Sequence, residues 1–566
     1  MDAIWSQVYD PMGSAVLSTA LAAVPLVLLL GLLAFGGFSA LPAALVALGA
    51  AVGLATAVFG MPPAAAGAAA GYGAAFGLFP IGWIVVNVMF LHALSVESGA
   101  LDVMKRSVTR LSPDHRVQAL LIAFAFGAFL EGAAGFGAPV AITAALLAGT
   151  GFPALEASVI ALIANTAPVA FGALGTPIIT LAKVTGLDEG SIAAVAGRQL
   201  PVFSLVIPAW MVVAMSGWRG LASVWPAVAV CGISFAAVQF AMANYVGAAL
   251  VDVVGGIACL ALMALFLQGW RPTTIWRHDG PSEGAAGVVD PSGRIAWAWM
   301  PWLILSACVF LWGLAPVKVV LDAALPPPAI EVPALHERVA KVPPATRAAL
   351  EVEPAVYRFN AASAAGTGIL VAAGLAVPWL GVGWRRAGWL WWANLVRLTV
   401  PLATIATMLA LAFVTRFSGM DVTLGLALTG TGLAYPFFAA ILGWLGVAIT
   451  GSDTSSNAMF GSLQKVTAEQ LGLDPLLICT ANSTGGVMGK MIDAQSIVVA
   501  ATATGIHRQE GTILRRVFPH SAALAALVGL LVWLQAGPLA WMVRLPPTPA
   551  VNSGSPAIHH HEGDEQ

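Results

Sequence analysis

Two acidic side chains stand inside long apolar stretches of this chain. Glu131 lies in Phe126-Gly-Ala-Phe-Leu-Glu131-Gly132-Ala-Ala-Gly135-Phe-Gly137-Ala-Pro139, and Asp453 lies in Thr450-Gly451-Ser452-Asp453-Thr454-Ser-Ser-Asn457-Ala-Met-Phe-Gly461. About thirty residues after each acid comes a second polar interruption. In the first half it is Asn165-Thr166-Ala167-Pro168, followed by Phe171-Gly-Ala-Leu-Gly175-Thr176-Pro177. In the second it is Asn482-Ser483-Thr484-Gly485-Gly486, followed by Gly489-Lys490-Met-Ile-Asp493. The pattern suits a small anion. An interrupted helix frees N–H groups at the start of the next half-helix, whose dipole favours a carboxylate. Asn, Thr and Ser add donors and acceptors for a carboxylate and a hydroxyl, and glycine lets the backbone come close. Two such tips meeting at mid-membrane would enclose one small polar ligand, in this reading at Asn165, Thr166, Ala167, Ser452, Asp453, Thr454, Asn482, Ser483, Thr484 and Gly485. Glu131 or Asp453 would take a coupling proton, because a protonated acid does not repel an incoming anion.

Plainer readings exist for each feature. A lone Asn-Thr in a membrane helix commonly serves as interhelical glue, worth about 0.6 kcal/mol, and small-residue runs such as Gly132 to Gly137 let helices pack closely. Repetition of one plan in two unlike halves favours the binding site. The acids are harder to dismiss, since a carboxylate at the centre of a span costs about 2.5–3.5 kcal/mol on insertion scales. Gly132, Gly135, Gly137, Gly451 and Gly486 read as the glycines of the hairpins and helix breaks. Lys490 and Asp493, spaced i, i+3, are either a structural ion pair or part of the site. Asp252, at the start of a span, reads as interfacial. Arg397 and Arg416 read as snorkelling, and His92 as a packed or interfacial histidine.

These groups need a membrane to position them, and the composition supplies one. Of 566 residues, 59% are hydrophobic and 9% charged, against about 25% charged in a soluble domain. That excludes a soluble enzyme, a nucleic-acid binder and a disordered chain. A net charge of −2 provides no basic field for nucleic acid. The four cysteines lie in apolar stretches without CxxC spacing and suggest neither disulfides nor a metal site. No cofactor is implied. Nothing basic precedes the first apolar run near Ala15, so that run reads as a retained span, not a signal peptide.

Apolar runs of about 20 residues, enough to cross the hydrocarbon core, lie near 15–36, 38–59, 63–92, 153–182, 200–216, 222–244, 248–269, 297–317, 362–384, 397–416, 476–503 and 518–537. Two further regions, 117–150 and 422–463, are interrupted in the middle and read as two spans or a re-entrant hairpin each. The expectation is an all-α polytopic membrane protein with 12–14 membrane segments. The first 14 residues carry Asp2 and Asp10 but no Lys or Arg, whereas 93–116 carry Lys105, Arg106, Arg110 and Arg116. Basic loops stay cytoplasmic. Three spans from an outside start satisfy that rule, and the same parity puts Arg219, Arg271, Arg277, Arg294, Arg385, Arg386, Arg397, Arg508, Arg515 and Arg516 inside and both termini outside. The chain divides into a first transmembrane half (1–269), a cytoplasmic linker (270–296), a second half (297–540) with an external Pro-rich loop (319–361), and an external tail (541–566). The halves begin on opposite sides, the parity of an inverted-topology repeat.

The sequence resembles the L-lactate permease family of bacterial secondary transporters, from the first span to about residue 540. The resemblance is most specific in EGAAGFGAPVAI (131–142), ANTAPVAFGALGTPI (164–178), GSDTSSNAMFGSLQ (451–464) and ANSTGGVMGKMIDAQSI (481–497). It implies uptake of L-lactate, with D-lactate and glycolate, together with protons, across the bacterial inner membrane. It further implies a scaffold domain and a transport domain of two hairpins and two broken helices, an elevator movement and a homodimer. The substrate role falls by this resemblance on Asn165, Thr166, Asn482, Ser483 and Thr484, with Ser452 and Asp453 nearby.

The residues bear on two other functions. A sodium-coupled di- or tricarboxylate carrier would want clustered cations, and Lys490 is the obvious cation near the polar stretches. An intramembrane aspartyl protease built on Asp453 and Asp493 would share one proton between two acids, but a GxGD string is absent.

Overall fold

Runs of Ala, Leu, Val and Gly without charged side chains leave one way to satisfy the backbone in hydrocarbon, the hydrogen bonds of a helix. The computed structural model describes residues 4–34, 38, 40–133, 138–278, 290–346, 350–506 and 509–545. The first half contains Ala15–Ala34, Ala40–Ala57 and Pro63–Glu97, then an amphipathic surface helix, Ala100–Thr109. His115–Ala133 and Ala138–Gly149 follow. Ala154–Ala164 and Val169–Thr185 form a pair bent by 65°, and Glu189–Tyr245 and Val251–Gly269 complete the half. At 57 residues Glu189–Tyr245 would be far too long for one span. Gly217, at φ 68 and ψ −175, folds it back on itself. The two arms run antiparallel, with Ser204 Oγ donating to Gln239 Oε1 at 2.7 Å and Gly232 against Leu205.

The second half contains Ser292–Gly313, Ala315–Ala324, Ala365–Trp379, Trp384–Arg397 and Thr399–Ser418. Met420–Leu428 and Tyr435–Thr450 lead to Asp453–Leu471, and Pro475–Gly489, Ala494–Thr504 and Glu510–Gln535 close it. Among the described residues, eight helices are long and apolar enough to cross a membrane, nine if the bent pair is one span. The larger number expected from sequence includes shorter apolar helices, such as Pro139–Gly149 and Ala365–Trp379, that fall below the length of a full span.

The fold departs from the sequence expectation in two places. The 319–361 excursion, expected as a Pro-rich loop of an all-α protein, contains short strands. Trp5–Ser6 pairs in parallel with the strand Val339–Lys341, which also pairs antiparallel with Glu351–Val352, and Ala329–Glu331 pairs antiparallel with Val356–Arg358. The N-terminal segment is pinned there too, because Gln7 Nε2 donates to the carbonyls of Arg416 and Phe417, each at 3.0 Å. Arg416 does not snorkel. It donates to the Val184 carbonyl at 3.1 Å and to Glu353 at 3.0 Å. The second departure concerns Asn482 and is taken up with the site.

The basic loops gather on one face. Arg106 bonds Asp290, Arg116 bonds Ser223 and the Thr274 carbonyl, and Arg386 bonds Glu97. Residues 276–278 dock on 113–115 through Trp276, Arg277 and His278. The core between the two ends is aromatic-rich, with Phe124, Phe126, Phe129 and Trp302 fully buried.

Candidate functional site

Asp453 opens a helix whose start is locally encoded. Gly451, at φ 72, ends the preceding helix in the left-handed conformation that favours glycine. Ser452 then caps the next one, accepting the Ser455 N–H at 3.2 Å. Asp453 is thereby buried with its side chain turned to Pro475–Gly489. Asp453 Oδ2 accepts from Ser483 Oγ at 2.5 Å and from Asn457 Nδ2 at 3.3 Å, while Oδ1 has no hydrogen-bond partner. Gly486 leaves room for this carboxylate, since a Cβ there would press on Oδ1.

A buried amide network extends from Asp453. Asn457 Nδ2 also reaches the Pro177 carbonyl of the first half at 3.2 Å. Asn482 Nδ2 donates to Asn457 Oδ1 at 2.9 Å, Gln464 Nε2 donates to Asn482 Oδ1 at 3.2 Å, and Tyr435 OH donates to Gln464 Oε1 at 2.8 Å. This network explains the second departure. The break expected at Asn482 is not there, and Pro475–Gly489 runs unbroken through Asn482, Ser483, Thr484, Gly485 and Gly486. Its polar side chains find partners on neighbouring helices, Thr484 alone of those named also reaching back to the Thr480 carbonyl at 3.3 Å, and Gly485 lets Tyr435–Thr450 approach at Ala440. The interruption falls at 490–493, before Ala494–Thr504.

Lys490 caps that interruption. Its Nζ donates to the Gly451 carbonyl at 2.6 Å and lies 3.5 Å from Asp493 Oδ2, both side chains being buried. Asp493 Oδ1 accepts the Ser496 N–H at 2.7 Å. The ion pair seen as one alternative in the sequence exists, and Lys490 also lies within electrostatic reach of Asp453 and Glu131.

In the first half the expected break is real. Asn165 ends its helix, and Ala173, Leu174 and Gly175 all have positive φ (44, 56 and 77). Two consecutive non-glycine residues there store strain of the kind that clusters at functional sites. The strained turn is held against Glu131, because a Cβ on Gly172 would lie 2.8 Å from Glu131 Oε1. Glu131 is buried, and its Oε2 has no hydrogen-bond partner. The Asn165 side chain faces Glu131, but its Nδ2 closes no hydrogen bond. Glu131, Asn165, Asp453, Lys490 and Asp493 thus converge from both halves.

Other residues named from sequence do not join them. Thr166 Oγ1 donates to its own helix at the Ile163 carbonyl, and the Ala167 carbonyl accepts from Gln239 Nε2. Thr484 Oγ1 donates to Gln199 Oε1 at 2.7 Å, and Gln199 in turn donates to Gln535, a structural chain between halves. Ser452 and Thr454 are half-buried beside Asp453. Gly132 packs against Asp252, and Gly135 and Gly137 lie outside the described residues. Asp252 is not interfacial. It is fully buried, and neither carboxylate oxygen has a hydrogen-bond partner. The sequence signal was present, a single acid in the apolar run Val251–Gly269. Asn457 and Gln464 were also missed. Asn457 sits one helical turn after Asp453, a spacing that puts both on one face.

Among the described residues no group of three or more His, Cys, Asp or Glu is arranged to hold a metal ion. The chain matches the L-lactate permease family over residues 18–537. It is 45% identical over 549 residues to the glycolate permease GlcA of Escherichia coli K12, covering 94% of this chain and 98% of that one. It is 43% identical over 566 residues to the L-lactate permease of Bacillus subtilis 168 (95% and 100% covered) and 42% identical over 552 residues to that of Escherichia coli K12 (95% and 100% covered). Among solved structures, the YdaH transporter of Alcanivorax borkumensis is similar at a TM-score of 0.43 and 14% identity, covering 84% of this chain and 88% of that one, too distant to carry an argument. With matches of this identity running nearly end to end, the chain belongs to the L-lactate permease family, and is a multi-pass membrane transporter, not an enzyme.

Proposed function

We propose that the chain imports L-lactate and related 2-hydroxymonocarboxylates, D-lactate and glycolate among them, together with protons. The observation that carries this reading is the near full-length match to relatives named for glycolate and for L-lactate. The geometry is in keeping with a monoanion. A single buried ammonium, Lys490, stands between two helix interruptions, beside Glu131, Asp453 and Asp493. A further carboxylate entering that setting needs a proton on one of the acids, because unpaired buried charges are expensive. Asn165, whose Nδ2 has no hydrogen-bond partner, and Ser452, Asp453 and Thr454 are the substrate-facing residues in this reading; Glu131 or Asp453 carries the proton. Neither the sodium-coupled carrier nor the protease finds support among the relatives.

The same reading takes the two halves as inverted repeats, the hairpins and broken helices as a transport domain that moves against a scaffold, and the molecule as a homodimer. It sits in the bacterial inner membrane with the basic-loop face cytoplasmic and the termini periplasmic, as loop charge favours. Labelled L-lactate uptake into proteoliposomes under an imposed pH gradient tests it, with glycolate, D-lactate and succinate as competitors. Uptake should follow the gradient and yield to glycolate and D-lactate. No response to the gradient would refute symport, and succinate as the best competitor would refute the substrate class.

A further inference from the structure

Asp252 opens the helix Val251–Gly269. An acid in a first turn normally serves its helix by accepting a backbone N–H, yet Asp252 Oδ1 and Oδ2 accept nothing, and the residue is fully buried. Glycines bring its helix onto the turn that carries Glu131. A Cβ on Gly132 would lie 2.7 Å from Asp252 Cβ, and one on Gly256 would lie 2.5 Å from the Phe129 nitrogen. Glu131 Oε2 is likewise without a partner.

Charges from the packed helices do not relieve Asp252. The titratable and charged groups on His115–Ala133 (His115, Arg116, Glu131), Gly172–Thr185 (Lys183) and Glu189–Tyr245 (Glu189, Arg198, Arg219, Cys231, Tyr245) include none that hydrogen-bonds Asp252; Arg116 is held by Asp114 and Arg198 by Asn244, and Glu131 is the charge that bears on it. Lys490 is held by the Gly451 carbonyl and Asp493. Two adjacent buried carboxyl groups with no cation for one of them cannot both be ionised.

We propose that Asp252 and Glu131 together form the proton-binding site of transport, one coupling proton being shared between the two carboxyl groups. This inference rests on the proton-symport reading above and adds Asp252 to it.

The surroundings provide a route and a lever. A cleft of about 750 Å³ has Ala248, Ala249 and Leu250 in its wall, ending two residues before Asp252, with Lys183 and Glu189 at its sides. The strained turn 172–175 links Glu131 to the segment that leads into Asp252. Gly172 abuts Glu131, and a Cβ on Gly175 would lie 2.8 Å from the Ala248 backbone. Proton entry from the cleft neutralises the pair, and its loss leaves a repelling anion against the turn, so the proton reaches the broken helix that bears Asn165.

The test uses the full-length protein in lightly buffered proteoliposomes, with lactate-elicited alkalinisation of the medium and labelled lactate exchange as paired readouts. Asp252→Asn should reduce alkalinisation and gradient-driven accumulation at least tenfold while exchange, which needs no net proton movement, continues. Asp252→Glu should restore alkalinisation. Wild-type proton-to-lactate coupling in Asp252→Asn would overturn the proposal and leave symport standing. Should Asp252→Asn lose exchange as well, Asp252→Glu decides: exchange with alkalinisation supports the proposal, and exchange without it overturns it. Absence of alkalinisation in the wild type would instead defeat the symport reading itself, and accumulation driven by a sodium gradient would replace the proton by a cation.

Discussion

Lys490 Nζ donates to the Gly451 carbonyl at 2.6 Å, so the interruption after the Asn482 helix is bonded to the interruption before Asp453. One ammonium therefore serves two backbone breaks and the Asp493 carboxylate at once.

Lys490→Met leaves Asp493 and the Gly451 carbonyl unpaired in the interior. Removing one partner of a buried pair costs about 3–5 kcal/mol, and Tm should fall accordingly. In Lys490→Met/Asp493→Leu most of that stability should return while lactate uptake stays lost. Uptake returning with stability would reduce the pair to a structural tie.

Gly486→Ala sets a methyl group against Asp453 Oδ1, with Val447 Cγ2 at 2.9 Å behind it. The carboxylate must turn away from Ser483, so uptake should drop more than tenfold with a modest fall in Tm. Gly485→Ala meets the Ala440 backbone instead. Backbone yields less than a side chain, and overpacking of about 1–3 kcal/mol or more should appear mainly in thermal melts.

Thr484 and Asn165 separate structure from function. Thr484→Val loses one hydrogen bond to Gln199, worth about 1 kcal/mol net, and should leave the lactate KM near wild type. Asn165→Ala removes an amide that faces Glu131 and whose Nδ2 closes no hydrogen bond, and should raise KM at least tenfold. Parallel effects of the two substitutions on KM would contradict the division.

These contrasts mark how far the sequence could be read. Span positions, the Gly451–Ser452 start of the Asp453 helix and the Asn165 break all follow from local chemistry, namely apolar run length, a left-handed glycine and a capping serine. The Asn482 stretch looked like a break for the same local reasons. Its amides instead bond Asn457 and Gln464 on a neighbouring helix, a tertiary fact with no local signature. Asp252 failed in the opposite way. Position at a span end suggests an interface, and only the packing of Gly132 and Gly256 buries it. The pairing of Trp5–Ser6 with the excursion has no local signature, because its partner lies more than three hundred residues away.

Outside the candidate membrane spans, Glu353 offers a pH handle on the excursion. Burial pushes its carboxyl up, but Arg416 and Lys341 outweigh that and hold it below the ordinary glutamate value of 4.5. A carboxylate held low stabilises its contacts fully above that value, and the contribution is lost as pH falls through the lower, folded-state value. Protease cleavage of the 329–358 segment should therefore rise as the medium is acidified below 4.5. In Glu353→Gln cleavage should be faster at neutral pH and flatter with acidification; an unchanged pH profile would contradict the ion-pair account.

The central claim is that proton and carboxylate meet where Glu131, Asp453 and Lys490 converge. Gradient-driven accumulation of labelled L-lactate in Glu131→Gln and Asp453→Asn proteoliposomes tests it most directly, beside wild type and with exchange measured in parallel. At least one amide should abolish accumulation while exchange persists. Wild-type accumulation in both would contradict the account.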